Sequence, residues 1–130
     1  KDSSYNLFEN LKLKNFLMFP GSESKLLKGL ENGCSGCISA VTNVTHSLAR
    51  KVFDCYKKNE TQTDNKKLIE VRKIFDNYNL ISALHTFMSL KDKKFKNLLP
   101  PLVLVNTKEK KDLINSLYNL KFISEKDIAA

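Results

Sequence analysis

The sequence lacks an apolar run long enough to cross a membrane. None of its 130 residues belongs to an uninterrupted apolar stretch of the about 18 residues that a spanning helix needs. It also lacks a positively charged start followed by a signal-like apolar segment, so nothing favours secretion. With 42% hydrophobic residues the chain can still build a core. We therefore expect a soluble domain of ordinary size that does not bind membranes.

Cysteine is scarce as well. Three cysteines, an odd number without dense spacing, argue against a disulfide scaffold and favour a reducing compartment, so the cytoplasm is the expected location. Cys34 and Cys37 form a Cys-x-x-Cys pair, but no second pair or paired histidines completes a zinc site. We favour core packing for both thiols over a metal or redox role. His46 and His85 lack an acidic or cysteine partner in sequence, which favours solvent-facing or satisfied histidines.

Lysine is the residue that the chain has in excess. The formal net charge is +8, and the lysines are scattered along predicted helical faces. This distribution favours a solvated surface, because nucleic-acid binding calls for a concentrated stripe with stacking aromatics or a known module pattern. Neither a helix-turn-helix nor a ribonucleoprotein motif is present. A basic helical nucleic-acid-binding module stays as the non-enzyme alternative, which salt-sensitive binding would support.

Two short apolar runs, residues 15–19 and 37–41, each end in small polar residues. One amphipathic helix, predicted over residues 22–32, joins them. Gly33 and Gly36 precede the second run and allow the sharp helix-to-strand turn of a parallel crossover. Residues 1–4 are typical of the end of an earlier strand, followed by a short helix over residues 5–13. The pattern predicts a strand-helix-strand unit with chemistry at its strand ends.

After residue 43 the periodicity becomes helical. Apolar residues at helical spacing predict helices over residues 44–58, 66–78 and 79–90, and Asn106 to Glu109 is typical of another helix start. Pro100 and Pro101 force an extended segment, because proline lacks an amide donor and disfavours a helical residue before it. Residues 99–106 are therefore predicted to be an extended linker between helices.

Several short motifs follow one another along the chain: Lys1-Asp2-Ser3-Ser4, residues 19–23, residues 33–43, residues 80–84, and residues 100–102 followed by 107–109. In this order they resemble the C-terminal half of the class I aldolases of the dihydrodipicolinate synthase and N-acetylneuraminate lyase superfamily, most closely archaeal 2-keto-3-deoxygluconate aldolases. Lys1-Asp2-Ser3-Ser4 resembles the family's Schiff-base lysine motif from the lysine onward. The sequence departs from the sugar-acid subgroup at Leu99 and at Thr45-His46.

The resemblance implies a fold and an activity. The fold is α/β, the C-terminal part of a (β/α)8 TIM barrel: the last three strands in residues 1–58, then extra C-terminal helices in residues 59–130. The activity is reversible cleavage of 2-keto-3-deoxygluconate, or its 6-phosphate, to pyruvate and glyceraldehyde or its phosphate. Dihydrodipicolinate synthase and N-acetylneuraminate lyase are the alternatives within the superfamily. No cofactor and no metal are expected, because a covalent lysine–pyruvate Schiff base supplies the chemistry.

Site residues follow from the same resemblance. Lys1 is the implied catalytic lysine, although a terminal lysine taken alone is usually a solvated charge. Glu23 is implied to contact substrate hydroxyls or, alternatively, to complement the dipole of the helix that it begins. Ser82 is implied to approach the distal end of the sugar or to be a small packing residue. The implied substrate-binding residues are Gly21, Ser22, Glu23, Ile38, Ser39, Ala40 and Ser82.

Partners are implied as well. The family's carboxylate-binding Gly-Thr-Thr/Ser-Gly-Glu motif and its catalytic tyrosine lie upstream of the lysine, so this chain alone is not expected to be a complete catalyst. We expect it to need the N-terminal half of the same barrel. A homotetramer is expected, with pyruvate, glyceraldehyde and the 2-keto-3-deoxy sugar acid as small-molecule partners.

Overall fold

The computed structural model describes Lys1, residues 7–10 and residues 14–125. These residues form five α-helices at the predicted places. The helices predicted over residues 44–58, 66–78 and 79–90 have ends within two residues of the prediction, whereas the α-helix predicted over residues 22–32 begins only at Leu26. Short 3-10 helices occur at Leu7–Glu9, Glu23–Lys25 and Lys93–Lys96. The α-helices are α1 (Leu26–Glu31), α2 (Thr42–Lys57), α3 (Asn65–Asp76), α4 (Leu80–Met88) and α5 (Thr107–Asn119). No helix of this described part is long and apolar enough to cross a membrane.

The predicted strands over residues 15–19 and 37–41 are not formed as strands in the described residues. Neither segment forms a regular element, and an isolated bridge occurs only at Pro20, directly after the first segment. A ladder depends on donors from both segments, and Pro20 at the end of the first segment has no N–H to donate, while Gly36, at φ +152°, directly precedes the second segment. Residues 99–106 form no helix, as predicted, but they are not extended throughout: Pro100 and Pro101 lie in a turn closed by a bond from the N–H of Leu102 to the carbonyl of Leu99 at 3.1 Å.

Part of the predicted N-terminal organisation lies outside the described residues. Asp2, Ser3 and Ser4 of the lysine motif belong to that part, as do residues 5–6 and 11–13 of the predicted short helix. Within the described residues, Leu7–Glu9 forms a single 3-10 turn whose Phe8 is buried. The strand end predicted at residues 1–4 therefore stays a prediction.

The chain divides into two compact units, Lys1–Ile69 and Glu70–Ala130. In the first unit, α1 packs against α2. Tyr56 of α2 also donates its hydroxyl to the carbonyl of Leu30 at 2.9 Å, which fixes the two helices in register. Burial of this apolar face is the main stabilising term of the unit. The buried core residues are Leu26, Leu30, Ala49, Val52 and Leu68.

Three helices end in the same backbone arrangement. After α1, the N–H of Gly33 bonds to Leu30 and the N–H of Cys34 to Gly29, a Schellman motif with Gly33 at φ +86°. The same pair of bonds closes α2 around Asn59 and α5 around Lys121, at φ +55° and +54°. The predicted glycine turn after α1 is confirmed, because Gly33 occupies the left-handed position that a side chain disfavours.

The second unit has its own aromatic core. Phe75 of α3 and Phe87 of α4 meet edge to face with ring centroids 6.0 Å apart, and Phe87 also lies 6.2 Å from Phe122. Leu113 and Leu117 of α5 are fully buried. A capping box begins α5: the Asn106 side chain accepts from the backbone of Glu109, whose carboxylate accepts from the backbone of Asn106.

Candidate functional site

The crossover through α1 brings the two predicted strand segments side by side. The N–H of Ser35 donates to the carbonyl of Met18, and the N–H of Ile38 donates to the carbonyl of Pro20, both at 3.0 Å. Since both residue numbers rise together, the segments run in the same direction, as a parallel crossover requires. The residues that follow Pro20 therefore lie beside those that follow Cys37.

Glu23 and Ser39 meet where these segments end. The Ser39 hydroxyl donates to Oε2 of Glu23 at 2.5 Å, across sixteen residues of sequence. Glu23 is fully buried, although it sits in the first turn of a 3-10 helix where a carboxylate would usually face solvent. A hydrogen bond from a hydroxyl stabilises such a buried charge. The contact fixes the two segment ends to each other.

Cys37 lies within the electrostatic reach of the same carboxylate. Burial, and to a smaller extent the negative charge of Glu23, together raise the pKa of its thiol from 9.0 to about 11. At neutral pH the thiol is therefore protonated, and it is a poor nucleophile and metal ligand. This favours the packing role predicted for Cys37.

The other predicted residues of the first unit surround this contact unevenly. Gly21 and Ser22 are buried, whereas Ile38 and Ala40 are exposed on either side of Ser39. The turn that carries Ser39 is held by side chains of α2: the Thr42 hydroxyl donates to the carbonyl of Ser39 at 2.5 Å. The Asn43 amide donates to the carbonyl of Ala40 at 2.8 Å. Side chains of α2 therefore hold the carbonyl groups of two consecutive residues of the turn, Ser39 and Ala40.

Ser82 belongs to the second unit, where it is buried on α4. Its N–H donates to the side chain of Asn79, the N-cap of α4, at 3.2 Å. Its carbonyl accepts from the Thr86 hydroxyl at 2.7 Å. The backbone of Ser82 is therefore held on both sides.

Lys1 is exposed. Its predicted place beside Glu23 and Ser39 stays a prediction, as does the assembly of all the predicted site residues in one pocket. The sequence analysis did not identify Thr86, whose hydroxyl bonds to the carbonyl of Ser82. Its position one helical turn after Ser82 could have indicated this contact. The sequence analysis also missed that the Thr42 hydroxyl holds the Ser39 turn.

The histidines and acidic residues do not form a metal centre in the described part of the chain. No group of three or more histidine, cysteine, aspartate or glutamate side chains there could hold a metal ion. His46 is exposed, and Nδ1 of His85 bonds to the carbonyl of Phe95 at 2.9 Å. A carbonyl only accepts, so His85 carries a proton on Nδ1. Both histidines confirm the solvent-facing or satisfied environment that was predicted for them.

A comparison with protein families identifies the chain. The profile of the Dihydrodipicolinate synthetase family matches residues 2–120, nearly the whole length. The chain belongs to this family. Its members are lyases and synthases of the class I aldolase type, and the fold of the family is the TIM barrel. No curated protein and no solved structure gave a significant match.

Proposed function

We propose that this protein is a Schiff-base aldolase that reversibly cleaves 2-keto-3-deoxygluconate, or its 6-phosphate, to pyruvate and glyceraldehyde or its phosphate. Membership in the Dihydrodipicolinate synthetase family supports the reaction class. The observation that carries the proposal further is the Glu23–Ser39 contact, because it joins the ends of two consecutive parallel segments. In a TIM barrel this is the edge where substrate binds. Lys1, at the start of its Lys-Asp-Ser-Ser motif, would stand at the preceding strand end.

The chemistry assigned to Lys1 begins with its neutral amine. The amine attacks the C2 carbonyl of the sugar acid, and loss of water leaves a protonated imine. A base then removes the proton of the C4 hydroxyl, the C3–C4 bond breaks, and its electron pair moves into the imine to form an enamine. Glyceraldehyde leaves at this step. Protonation at C3 and hydrolysis release pyruvate and return the lysine amine. The upstream tyrosine implied by the resemblance would be the group that removes the proton of the C4 hydroxyl.

Binding roles in the proposal follow burial and size. Gly21, Ser39 and Ala40 are small and leave room for the pyruvate moiety above Lys1. Glu23, as a carboxylate, accepts hydrogen bonds from hydroxyls, and Ser39 already makes one such bond to it. We therefore assign Glu23 and Ser82 to the hydroxyls of the sugar acid. Ser22 and Ile38 are assigned to the walls beside them.

The proposal also includes the assembly. We expect the N-terminal half of the barrel to complete the site, because the implied carboxylate-binding motif and catalytic tyrosine belong to it. A cytoplasmic homotetramer is the proposed state of the complete enzyme. Family membership supports small-molecule substrates and oligomers in general. Light scattering of the complete protein at micromolar concentration would reject the tetramer by detecting a monomer only.

Covalent trapping tests the proposed lysine. The full-length protein is incubated with pyruvate and borohydride, which reduces the imine to a stable amine, and peptide mass mapping locates the adduct. We expect the adduct on Lys1. Lys1→Arg keeps the charge but has no amine of accessible pKa, so both trapping and turnover should disappear while the fold is retained.

Lys14→Arg is the matched control, since Lys14 is another exposed lysine of the same segment. It should trap pyruvate and turn over substrate as the wild type does. An adduct on a different lysine, or normal turnover by Lys1→Arg, would refute the mechanism. Comparing kcat/KM for 2-keto-3-deoxygluconate, N-acetylneuraminate and dihydrodipicolinate synthesis then identifies the substrate, and a preference for either of the last two would reject the sugar-acid assignment.

A further inference from the structure

One buried hydroxyl connects the two segments of the second unit that resemble the sugar-acid subgroup. Thr86, on α4, is only 1% exposed. Its hydroxyl donates to the carbonyl of Ser82 at 2.7 Å and accepts from the N–H of Val105 at 3.2 Å. Ser82 lies in the segment 80–84, and Val105 closes the segment that contains Pro100 and Pro101. Thr86 therefore bonds to both.

The two hydrogen bonds of Thr86 have different roles. The bond to Ser82 lies within α4 and is the ordinary back-bonding of a helical threonine. The bond to Val105 crosses nineteen residues and satisfies a backbone N–H that has no ladder partner. Asn106, the next residue, is the N-cap of α5. The Thr86 hydroxyl thus holds the residue directly before the N-cap of α5 against α4.

We propose that Thr86 is a positioning residue for substrate specificity: it holds Ser82 and the 99–105 segment at the spacing that the six-carbon sugar acid requires. This inference rests on the proposed function, in which Ser82 faces the distal hydroxyls. Thr86 itself is buried and does not touch substrate. Its loss should change the affinity for the long substrate and leave imine formation with pyruvate unchanged, because pyruvate has no distal hydroxyls.

Ser89, the C-cap of α4, provides a matched control. It is also buried, at 8% exposure, and its hydroxyl donates to the carbonyl of Thr86 at 2.8 Å, so that it bonds within the helix turn. Ser89→Ala therefore removes one buried hydroxyl at the C-terminal end of α4 without removing the bond to Val105. A purely structural role of buried hydroxyls predicts the same kinetic effect for both positions.

The test compares Thr86→Val, Thr86→Ser and Ser89→Ala in the full-length enzyme. Thr86→Val should raise KM for 2-keto-3-deoxygluconate by about 2- to 10-fold, the effect of losing one buried hydrogen bond, with kcat little changed. Thr86→Ser restores the hydroxyl and should return KM to the wild-type value. Ser89→Ala should leave KM unchanged. Borohydride trapping of pyruvate on Lys1 should be equal in all four proteins.

A second variant keeps the test decisive if Thr86→Val does not fold. Val105→Pro removes the N–H that donates to Thr86 and leaves the Thr86 hydroxyl in place, and it should raise KM in the same way. If Thr86→Val and Val105→Pro both had the wild-type KM, or if Ser89→Ala raised KM as much as Thr86→Val, the inference would be overturned while the aldolase assignment stands. Wild-type protein that neither traps pyruvate nor cleaves the sugar acid would overturn the proposed function, and the role of Thr86 with it.

Discussion

Gly29 is the position where a single methyl group tests the packing beneath the candidate site. It is buried on α1, and a Cβ built there would lie 2.7 Å from Cγ and 3.3 Å from Cδ of Pro20. The proline ring is rigid and attached to the backbone at both ends, so it cannot rotate away. Gly29→Ala must therefore push α1 away from the segment that leads through Gly21 to Glu23.

Two opposing terms determine the size of the effect. Alanine favours a helix over glycine by about 1 kcal/mol, which stabilises the folded state. Overpacking in a rigid, buried contact destabilises by about 1–3 kcal/mol, and the contact distance is well below an ordinary carbon–carbon separation. The steric term should win. We expect Gly29→Ala to lower the free energy of unfolding by up to about 2 kcal/mol.

Urea denaturation of the full-length protein, followed by circular dichroism, measures this difference. Glu31→Ala on the same helix is the control, because Glu31 is exposed and its replacement should change stability by less than about 0.5 kcal/mol. The m-value should stay constant, since no change in exposed surface is expected. If Gly29→Ala unfolded at higher urea than the wild type, helix propensity would dominate and the contact with Pro20 would be looser than described.

Two further predictions concern the first unit. Leu30→Ala should destabilise the protein by about 2–5 kcal/mol, because it leaves a cavity in the α1–α2 core. Leu17→Ala, at an exposed side chain, should have little effect. Equal urea midpoints for the two variants would contradict the burial of Leu30. For Cys37 the folded pKa of about 11 exceeds the ordinary 9.0, so its contribution to stability is fully present below pH 9 and is lost as pH rises toward 11. Cys37→Ser should flatten this alkaline decline in the free energy of unfolding. Glu23→Gln should increase the rate of Cys37 alkylation at pH 9. An unchanged pH dependence of stability in Cys37→Ser together with an unchanged alkylation rate in Glu23→Gln would refute the role of the carboxylate.

Most of the helical organisation can be predicted from local sequence. The apolar spacing of Leu26 and Leu30, the N-cap asparagines of α4 and α5 and the proline pair before α5 each act over a few residues. Gly33 predicts the end of α1 for the same reason, since its left-handed conformation is nearly free of cost for glycine alone. Helix ends and periodicity depend on neighbours within one or two turns, and those are visible in the sequence.

Contacts between distant segments could not be predicted in this way. The hydroxyl of Ser39 finds Glu23 across sixteen residues, and the Thr86 hydroxyl finds Val105 across nineteen. The raised pKa of Cys37 likewise follows from tertiary structure, first from its burial and then from the charge of Glu23. The expected strands beside Pro20 failed to form because a ladder depends on donors from neighbouring segments, which local propensity does not reveal. Hydrogen bonds and desolvation at a site depend on which segments meet in space, and that is decided by the packing of α1 against α2 and of α4 against α5.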